Sequence, residues 1–422
     1  MSTVDFHWKR SAGTLLLVLL VAGCIVRGIV PALSRVDSDF PSYFAAAKIT
    51  ADGGSTERLY DIPWFQEQMR HYGLRKPEAG KFAPFPPPTA LLYVPLVRLE
   101  PLTALRVMTG VSVLGLLGSI VLLTRLFSWS LMESAVFVLL SGYAVYGSLR
   151  LGQPYILVSA SCILGYYARL KGANVLAGLC LGVFVPIKFF PVILLVYFAV
   201  RREWRVVLGG AAAALAVIAL SVAILGWKVH ETYLSGVLGS HLVGNMQMQD
   251  PFTASYQSFD SLFRRLFVYD STVNPQPWLD LPRLQVVGVL ITKVAIFAVA
   301  LASLFKLAHG NTADPAGPSV GILGILTLLL APATASYHYV LLWLPVGLLA
   351  NHFRGERAYA YASLMVGLYA FIGFLPYGLA YSFEGHGGLT VLAYPRLFLL
   401  LAMFAVCMCY VWSLPNAHAH TD

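Results

Sequence analysis

Apolar runs of about 17–25 residues recur along almost the whole chain, and nothing else in the sequence constrains its fold as strongly. About 20 helical residues match the ~30 Å hydrocarbon thickness of a bilayer, so runs of this length read as membrane-crossing helices. The segments between them mostly end in Lys or Arg, and the 422-residue chain reads as an all-α polytopic membrane protein with about twelve transmembrane helices. With 58% hydrophobic and only 12% charged residues, neither a soluble globular domain nor a disordered chain fits. A net charge of +9 points to nucleic acid in a soluble protein; here the basic residues cluster at helix ends, where the positive-inside rule accounts for them. Cys24, Cys162, Cys180, Cys407 and Cys409 all fall in apolar runs, so no disulfide framework is expected. No CxxC or His/Cys cluster marks a metal site, and no metal or other cofactor is expected.

In order, the first span is about 13–33, with Lys9 and Arg10 on the inside. Its apolar run is long and lacks a good small-residue cleavage pattern, so it reads as a retained span and not a signal peptide. The first external loop, about 35–100, follows. Phe40, Tyr43, Phe44 and Ala47 recur there at helical spacing, with Ser42 and Lys48 off that face, which predicts an interfacial helix. Asp61 before Pro63, then Phe65, Met69 and Tyr72, predicts a second surface helix. The run Phe85-Pro-Pro-Pro88 predicts a rigid, extended, non-helical re-entry.

Further spans are expected at about 102–124, 131–149 and 153–168. The apolar stretch from Val175 to Val200 is broken by Pro186-Ile-Lys188-Phe-Phe-Pro191. A single span there would separate Arg169 and Lys171 from Arg201, Arg202 and Arg205. Two short crossings that turn at Lys188 keep these cations on one side. A span at about 205–226 precedes a second external loop, about 227–283, containing His230, His241, Tyr256-Gln257-Ser258, Arg264 and Arg265. Five spans then follow, at about 284–307, 319–333, 336–351, 357–380 and 390–412, with both termini inside. No repeat or soluble module interrupts what reads as one integral membrane domain, 1–422.

This topology puts the uncommon polar residues Asp37, Asp39, Arg150, Gln153, Lys188, Gln257, His338 and Arg396 at or near external span ends. Each has a plain reading beside a functional one. Arg150 and Arg396 either snorkel to the interface or line a site. His338 is either a hydrogen-bonded interior histidine or a ligand contact. Asp37 and Asp39 either cap a helix and solvate a loop, or one of them is a base. Lys188 is the hardest to explain plainly, because a lysine in a broken span costs several kcal/mol and is a functional hypothesis by default. Together they describe an external cavity with a carboxylate and several cations, suited to an anionic headgroup and a base. No Walker A, GxSxG, HExxH or dinucleotide fingerprint is present, and the inward loops are too short to hold a nucleotide sugar. A multi-span secondary transporter or lipid flippase is the rival class. The halves show no matching repeat, and the polar residues gather on one face, which counts against it. A third reading is a non-catalytic subunit of a glycan pathway.

One ordered set of motifs goes further. Asp39-Phe40-x-x-Tyr43-Phe44, Leu59-Tyr60-Asp61, Phe85-Pro-Pro-Pro88, Gly152-Gln153, Lys188-Phe-Phe-Pro191, Gln257-Ser258 and Ala331-Pro332 to His338 resemble glycosyltransferase family 87. The resemblance covers nearly the whole chain. It departs at Tyr155 and Tyr256, where the family often has Asn, and this bears on sugar and acceptor more than on reaction class. It implies a GT-C-type fold and an inverting sugar transferase, most simply a mannosyltransferase. The implied donor is a polyprenyl-phosphate sugar and the acceptor a lipid or glycan, at the outer face of a bacterial cytoplasmic membrane. By position, Asp39 is the implied general base and Lys188, with His338 and Arg396, the implied contact to the donor phosphate. Asp37, Tyr43, Gln153, Tyr256, Gln257 and Arg150 are candidate substrate contacts. Protein cations facing a monophosphate leaving group leave no required role for a metal.

Overall fold

A computed structural model describes residues 3–36, 39–242, 250–309, 315–376, 378 and 381–415, with side chains from residue 11 onward. The described residues form helices and turns, with one isolated bridge between Asp270 and Asn274. The chain is therefore an all-α protein, and its long apolar helices make it a multi-pass membrane protein. Two compact units are present: Met1–Leu242 and, apart from residues 243–248, Gln249–Asp422.

Among the described residues, five helices are long and apolar enough to cross a bilayer: α1 (Ser11–Ser34), α4 (Pro101–Phe127), α10 (Trp204–Leu225), α13 (Pro282–His309) and α17 (Pro395–Ser413). Between α1 and α4 lie α2 (Phe40–Ala51) and α3 (Ile62–His71). The expected third span is two helices, α5 (Leu131–Leu139) and α6 (Tyr143–Arg150), bent by 74°. Gly142 makes the bend at φ +45°, a region closed to most side chains. Counted as one span, this pair brings the number to six.

The segment from 153 to 200 supplies three shorter helices: α7 (Tyr155–Leu170), α8 (Asn174–Phe184) and α9 (Val192–Val200). Proline at 186 and 191 brackets the break between α8 and α9. Arg169, at the end of α7, pairs with Glu203, just before α10, at 2.6 Å. The chain thus goes out along α8 and returns along α9 to the level at which it left. Glycines let α8 and α10 touch closely. A Cβ on Gly178 would lie 2.1 Å from the Val206 carbonyl oxygen, and one on Gly182 would lie 2.0 Å from that of Gly210. Small residues at such crossings let membrane helices pack backbone to backbone.

After α10, a helical run starts with α11 (Trp227–Thr232) and continues through a π segment, Tyr233–Leu238, to Leu242. The second unit holds α12 (Phe259–Phe267), then α13, α14 (Ala316–Leu330), α15 (Trp343–Gly355), α16 (Tyr359–Phe374) and α17. The expected span at 336–351 begins as a 3-10 turn, Ser336–Leu342, and the one at 390–412 follows another, Gly387–Ala393.

Two expectations for the first loop are corrected. The helix carrying Phe40, Tyr43 and Phe44 does not lie on a surface: every residue from Phe40 to Ala47, Ser42 included, is buried. Its run of alanines makes it slim and apolar all round, so neighbours pack on every side. The proline run is not extended either. Pro87–Leu92 and Val94–Leu96 are 3-10 turns, which prolines tolerate at their first positions because no N–H is needed there. The second expected helix, α3, forms as read: Asp61 caps it by accepting from the Trp64 N–H, and Phe65 and Met69 face inward.

Candidate active site

Residues from α2, the 3-10 turns after Phe85, the α6–α7 turn and the α8–α9 break meet within the first unit. Asp39 is the N-cap residue of α2, yet its side chain makes no capping hydrogen bond. The carboxylate Oδ2 instead accepts from Gln153 Nε2 at 2.6 Å. A capping role thus does not explain this acid.

Gln153 is placed by a helix ending. The Gly152 N–H donates to the Leu149 carbonyl at 3.2 Å and the Gln153 N–H to that of Ser148 at 2.9 Å, while Gly152 has φ +61°. That is a Schellman ending, which glycine makes accessible and which delivers the following residue to a fixed point. Gly152 is also fixed from outside: a Cβ there would lie 2.6 Å from Phe40 Cδ2, and Tyr93 donates to the Gly152 carbonyl at 2.8 Å.

Fully buried Gln153 uses its other end as an acceptor, taking the Tyr43 hydroxyl proton at 2.7 Å. The Tyr43 ring stacks on Tyr93 at 4.9 Å and meets Phe85 at 4.5 Å. Lys188 Nζ donates to the Tyr43 hydroxyl at 3.4 Å. The result is a continuous path, Asp39–Gln153–Tyr43–Lys188, linking a carboxylate to an ammonium group.

Lys188 is 6% exposed and sits over three rings: Phe85 at 4.3 Å, Tyr155 at 4.8 Å and Tyr43 at 5.5 Å. Each such contact stabilises a cation by about 0.5–2 kcal/mol, while burying an ammonium costs several kcal/mol. The rings offset part of that cost, and an arriving anion would offset more. The break is tied to the first loop by the Thr89 hydroxyl, which donates to the Ile187 carbonyl at 3.3 Å.

Lys81 is a site residue that sequence reading missed. Its backbone N–H donates to Ser42 Oγ at 3.4 Å, which sets it beside the first turn of α2. Burial lowers the pKa of its amine, and the negative charge of Asp39 acts in the opposite direction. A lysine in a polar loop carries no sequence signal; the nearest cue was its place shortly before the Phe85-Pro-Pro-Pro88 run. Tyr155 was noticed as a departure from the family pattern, and here it is one wall of the lysine cage.

Of the candidates, Asp39, Tyr43, Gln153 and Lys188 are brought together. Arg150 closes the last turn of α6, where a cation complements the carbonyl end of the helix. Asp37 lies outside the described residues. Tyr256, Gln257, His338 and Arg396 belong to the second unit. Gln257 Nε2 donates to the carbonyls of Ala254 at 2.7 Å and Ala393 at 2.9 Å, and its Oε1 accepts from the Arg396 N–H at 3.0 Å. Arg396 is 1% exposed and donates to the carbonyls of Ile372, at 3.1 Å, and Leu375, at the end of α16. Both side chains thus brace the backbone of their own unit. His338 Nδ1 accepts from the Ala335 N–H at 3.1 Å, closing a capping turn. Tyr256 is half-buried beside Gln257.

Chemically, the first-unit site offers a carboxylate held from one side by an amide, and a caged ammonium joined to it through a phenol. The carboxylate can take a proton and the ammonium can face a negative charge. Among the described residues, no group of three or more His, Cys, Asp or Glu side chains is placed to hold a metal ion. The model of glycosyltransferase family 87 matches residues 82–332, which takes in Gln153, Lys188 and Gln257 and begins one residue after Lys81. No curated protein matches the chain.

Proposed function

Because the chain belongs to glycosyltransferase family 87, we propose that it moves a sugar, mannose, from a polyprenyl-phosphate donor onto a lipid or glycan acceptor, with inversion. The reaction takes place at the outer face of a bacterial cytoplasmic membrane, on a chain that crosses it twelve times. The single observation that carries this reading is the path Asp39–Gln153–Tyr43–Lys188, which couples a base to a buried cation.

In this reading Asp39 removes the proton of the acceptor hydroxyl as its oxygen attacks the anomeric carbon. The bond from that carbon to the phosphate oxygen breaks on the opposite face, and polyprenyl phosphate leaves with the electron pair. General base catalysis of this kind contributes about 10²–10⁴-fold. Lys188 faces the charge that grows on the phosphate, and a preorganised cation in a dry site stabilises such a transition state strongly. Gln153 holds the carboxylate in one orientation for the acceptor. Lys81, close to Asp39, adds a second positive charge on the approach to the site. The aromatic surround of Phe85, Tyr93 and Tyr155 excludes water, which would otherwise compete as acceptor. The out-and-back course of α8 and α9, with Arg169 and Glu203 in contact, supports two short crossings between them.

Donor binding tests this. Lys188→Met keeps the length of the side chain and its contacts with the rings but removes the charge. It is expected to weaken binding of a polyprenyl-phosphate sugar at least tenfold while leaving the protein folded. Lys188→Arg recovers only part of it, since a planar fork differs from a point charge. Unchanged donor affinity in Lys188→Met would remove the lysine from this role.

A further inference from the structure

The helical run from Trp227 to Leu242 turns one face toward the core of the first unit. Val229, Tyr233 and Val237 recur every four residues and are buried, and the Tyr233 ring meets Tyr60 at 5.8 Å. His241 is the next residue at that spacing. Its Nδ1 is buried and has no hydrogen-bond partner. His230, on the same run, is the contrasting case: its Nδ1 is 2.8 Å from the Gly226 carbonyl and its Nε2 is 2.9 Å from Ser221 Oγ. One histidine is fully used in holding the fold. The other presents an unused ring nitrogen.

The surroundings of His241 narrow what that nitrogen is for. Burial holds the imidazole below its ordinary pKa, and the positive charge of Lys188 lowers it further. The ring is therefore neutral at pH 7 and lies within the electrostatic reach of the caged lysine. Lys188 has no acceptor capacity, and its ammonium donates to the Tyr43 hydroxyl. A neutral imidazole N–H and an ammonium can share one acceptor without repelling each other. A sugar hydroxyl has two lone pairs for them but leaves the ammonium's charge unbalanced; a phosphate accepts from both and balances it.

We propose that His241 is a binding residue for the donor phosphate, its Nδ1–H donating to a phosphate oxygen while Lys188 faces the same group. The proposal rests on the reading of the donor as a polyprenyl phosphate. It gives the second external loop a direct part in the site and predicts that the first unit alone supplies two of the phosphate contacts.

The test uses the purified full-length protein and two probes, a short-chain polyprenyl monophosphate and the corresponding uncharged polyprenol. His241→Ala is expected to raise the Kd for the monophosphate by about 10- to 100-fold, the range for a hydrogen bond to a charged group. His241→Asn places an N–H close to the position of Nδ1 and is expected to restore most of that loss. Binding of the polyprenol is expected to be the same in all three proteins. Because Nδ1 bonds to nothing among the described residues, His241→Ala should unfold close to the wild-type temperature. Equal monophosphate affinity in wild type and His241→Ala overturns the proposal and leaves the donor reading standing. Failure of the wild type itself to bind the monophosphate overturns the donor reading, and this proposal with it. Loss of folding in both variants assigns His241 a structural role and also overturns it.

Discussion

Replacing Tyr43 with Phe removes one oxygen from the centre of the path between Asp39 and Lys188. The ring keeps its stacking on Tyr93 and its contact with Phe85, so packing changes little. What is lost is the 2.7 Å bond to Gln153 Oε1 and the 3.4 Å contact from Lys188. Gln153 is fully buried, and its oxygen then has no donor from Tyr43. A buried acceptor left unsatisfied costs about 1–3 kcal/mol. If that cost appears as looser positioning of Asp39 in the transition state, kcat/KM falls by roughly 5- to 150-fold at 1.36 kcal/mol per decade. The assay is a double-mutant cycle of Tyr43→Phe and Gln153→Leu, read in kcat/KM and in thermal unfolding of the detergent-solubilised protein. Residues that act through one network couple by about 0.5–3 kcal/mol, whereas independent residues add. Additive effects on kcat/KM would refute the idea that the path works as a unit. A Tyr43→Phe variant with wild-type activity would refute it more simply.

Two further outcomes concern the frame that holds the site. Gly178→Leu is expected to block folding or membrane insertion of the first unit, because even a Cβ there falls 2.1 Å from the Val206 carbonyl oxygen of α10; overpacking of this kind costs about 1–3 kcal/mol or more, and normal yield of active protein would contradict the close α8–α10 contact. Cysteines placed at Lys171 and Arg202 are expected to react with an impermeant thiol reagent from the same side of the membrane, since Arg169 and Glu203 touch; labelling from opposite sides removes the out-and-back course of α8 and α9.

The parts of the site that were legible in the sequence are those where a polar residue is out of place. Lys188 interrupts an apolar stretch between two prolines, and Gln153 follows a glycine at a helix end; both stand out because membrane surroundings make them costly. Asp39 was legible as a base candidate, but sequence alone could not separate it from a helix cap. The 2.6 Å bond to Gln153 and the absence of a side-chain cap count against the capping reading. Lys81 was not singled out, and His241 was named only as part of the second loop, because lysine and histidine are ordinary in external loops and only burial gives them meaning. The first-loop helix was misread for the complementary reason. Ser42 and Lys48 make its pattern look amphipathic, whereas Ala45, Ala46 and Ala47 are small enough to be buried in a crowded core. Gln257 and Arg396 stand out in sequence as polar residues near span ends, and their hydrogen bonds to backbone groups are what no side-chain pattern records.

Turnover and donor binding of Asp39→Asn, measured on the same preparation, test the central claim most directly. Asparagine keeps the shape of the side chain and can present its oxygen to Gln153 Nε2, so the site stays assembled, but it cannot accept the acceptor's proton. With a polyprenyl-phosphate sugar and a membrane acceptor extract, turnover is expected to fall by about 10²–10⁴-fold while donor affinity stays at the wild-type value. Turnover of Asp39→Asn near the wild-type rate would contradict Asp39 as the base, and a dead Asp37→Asn beside it would move that role to the neighbouring carboxylate.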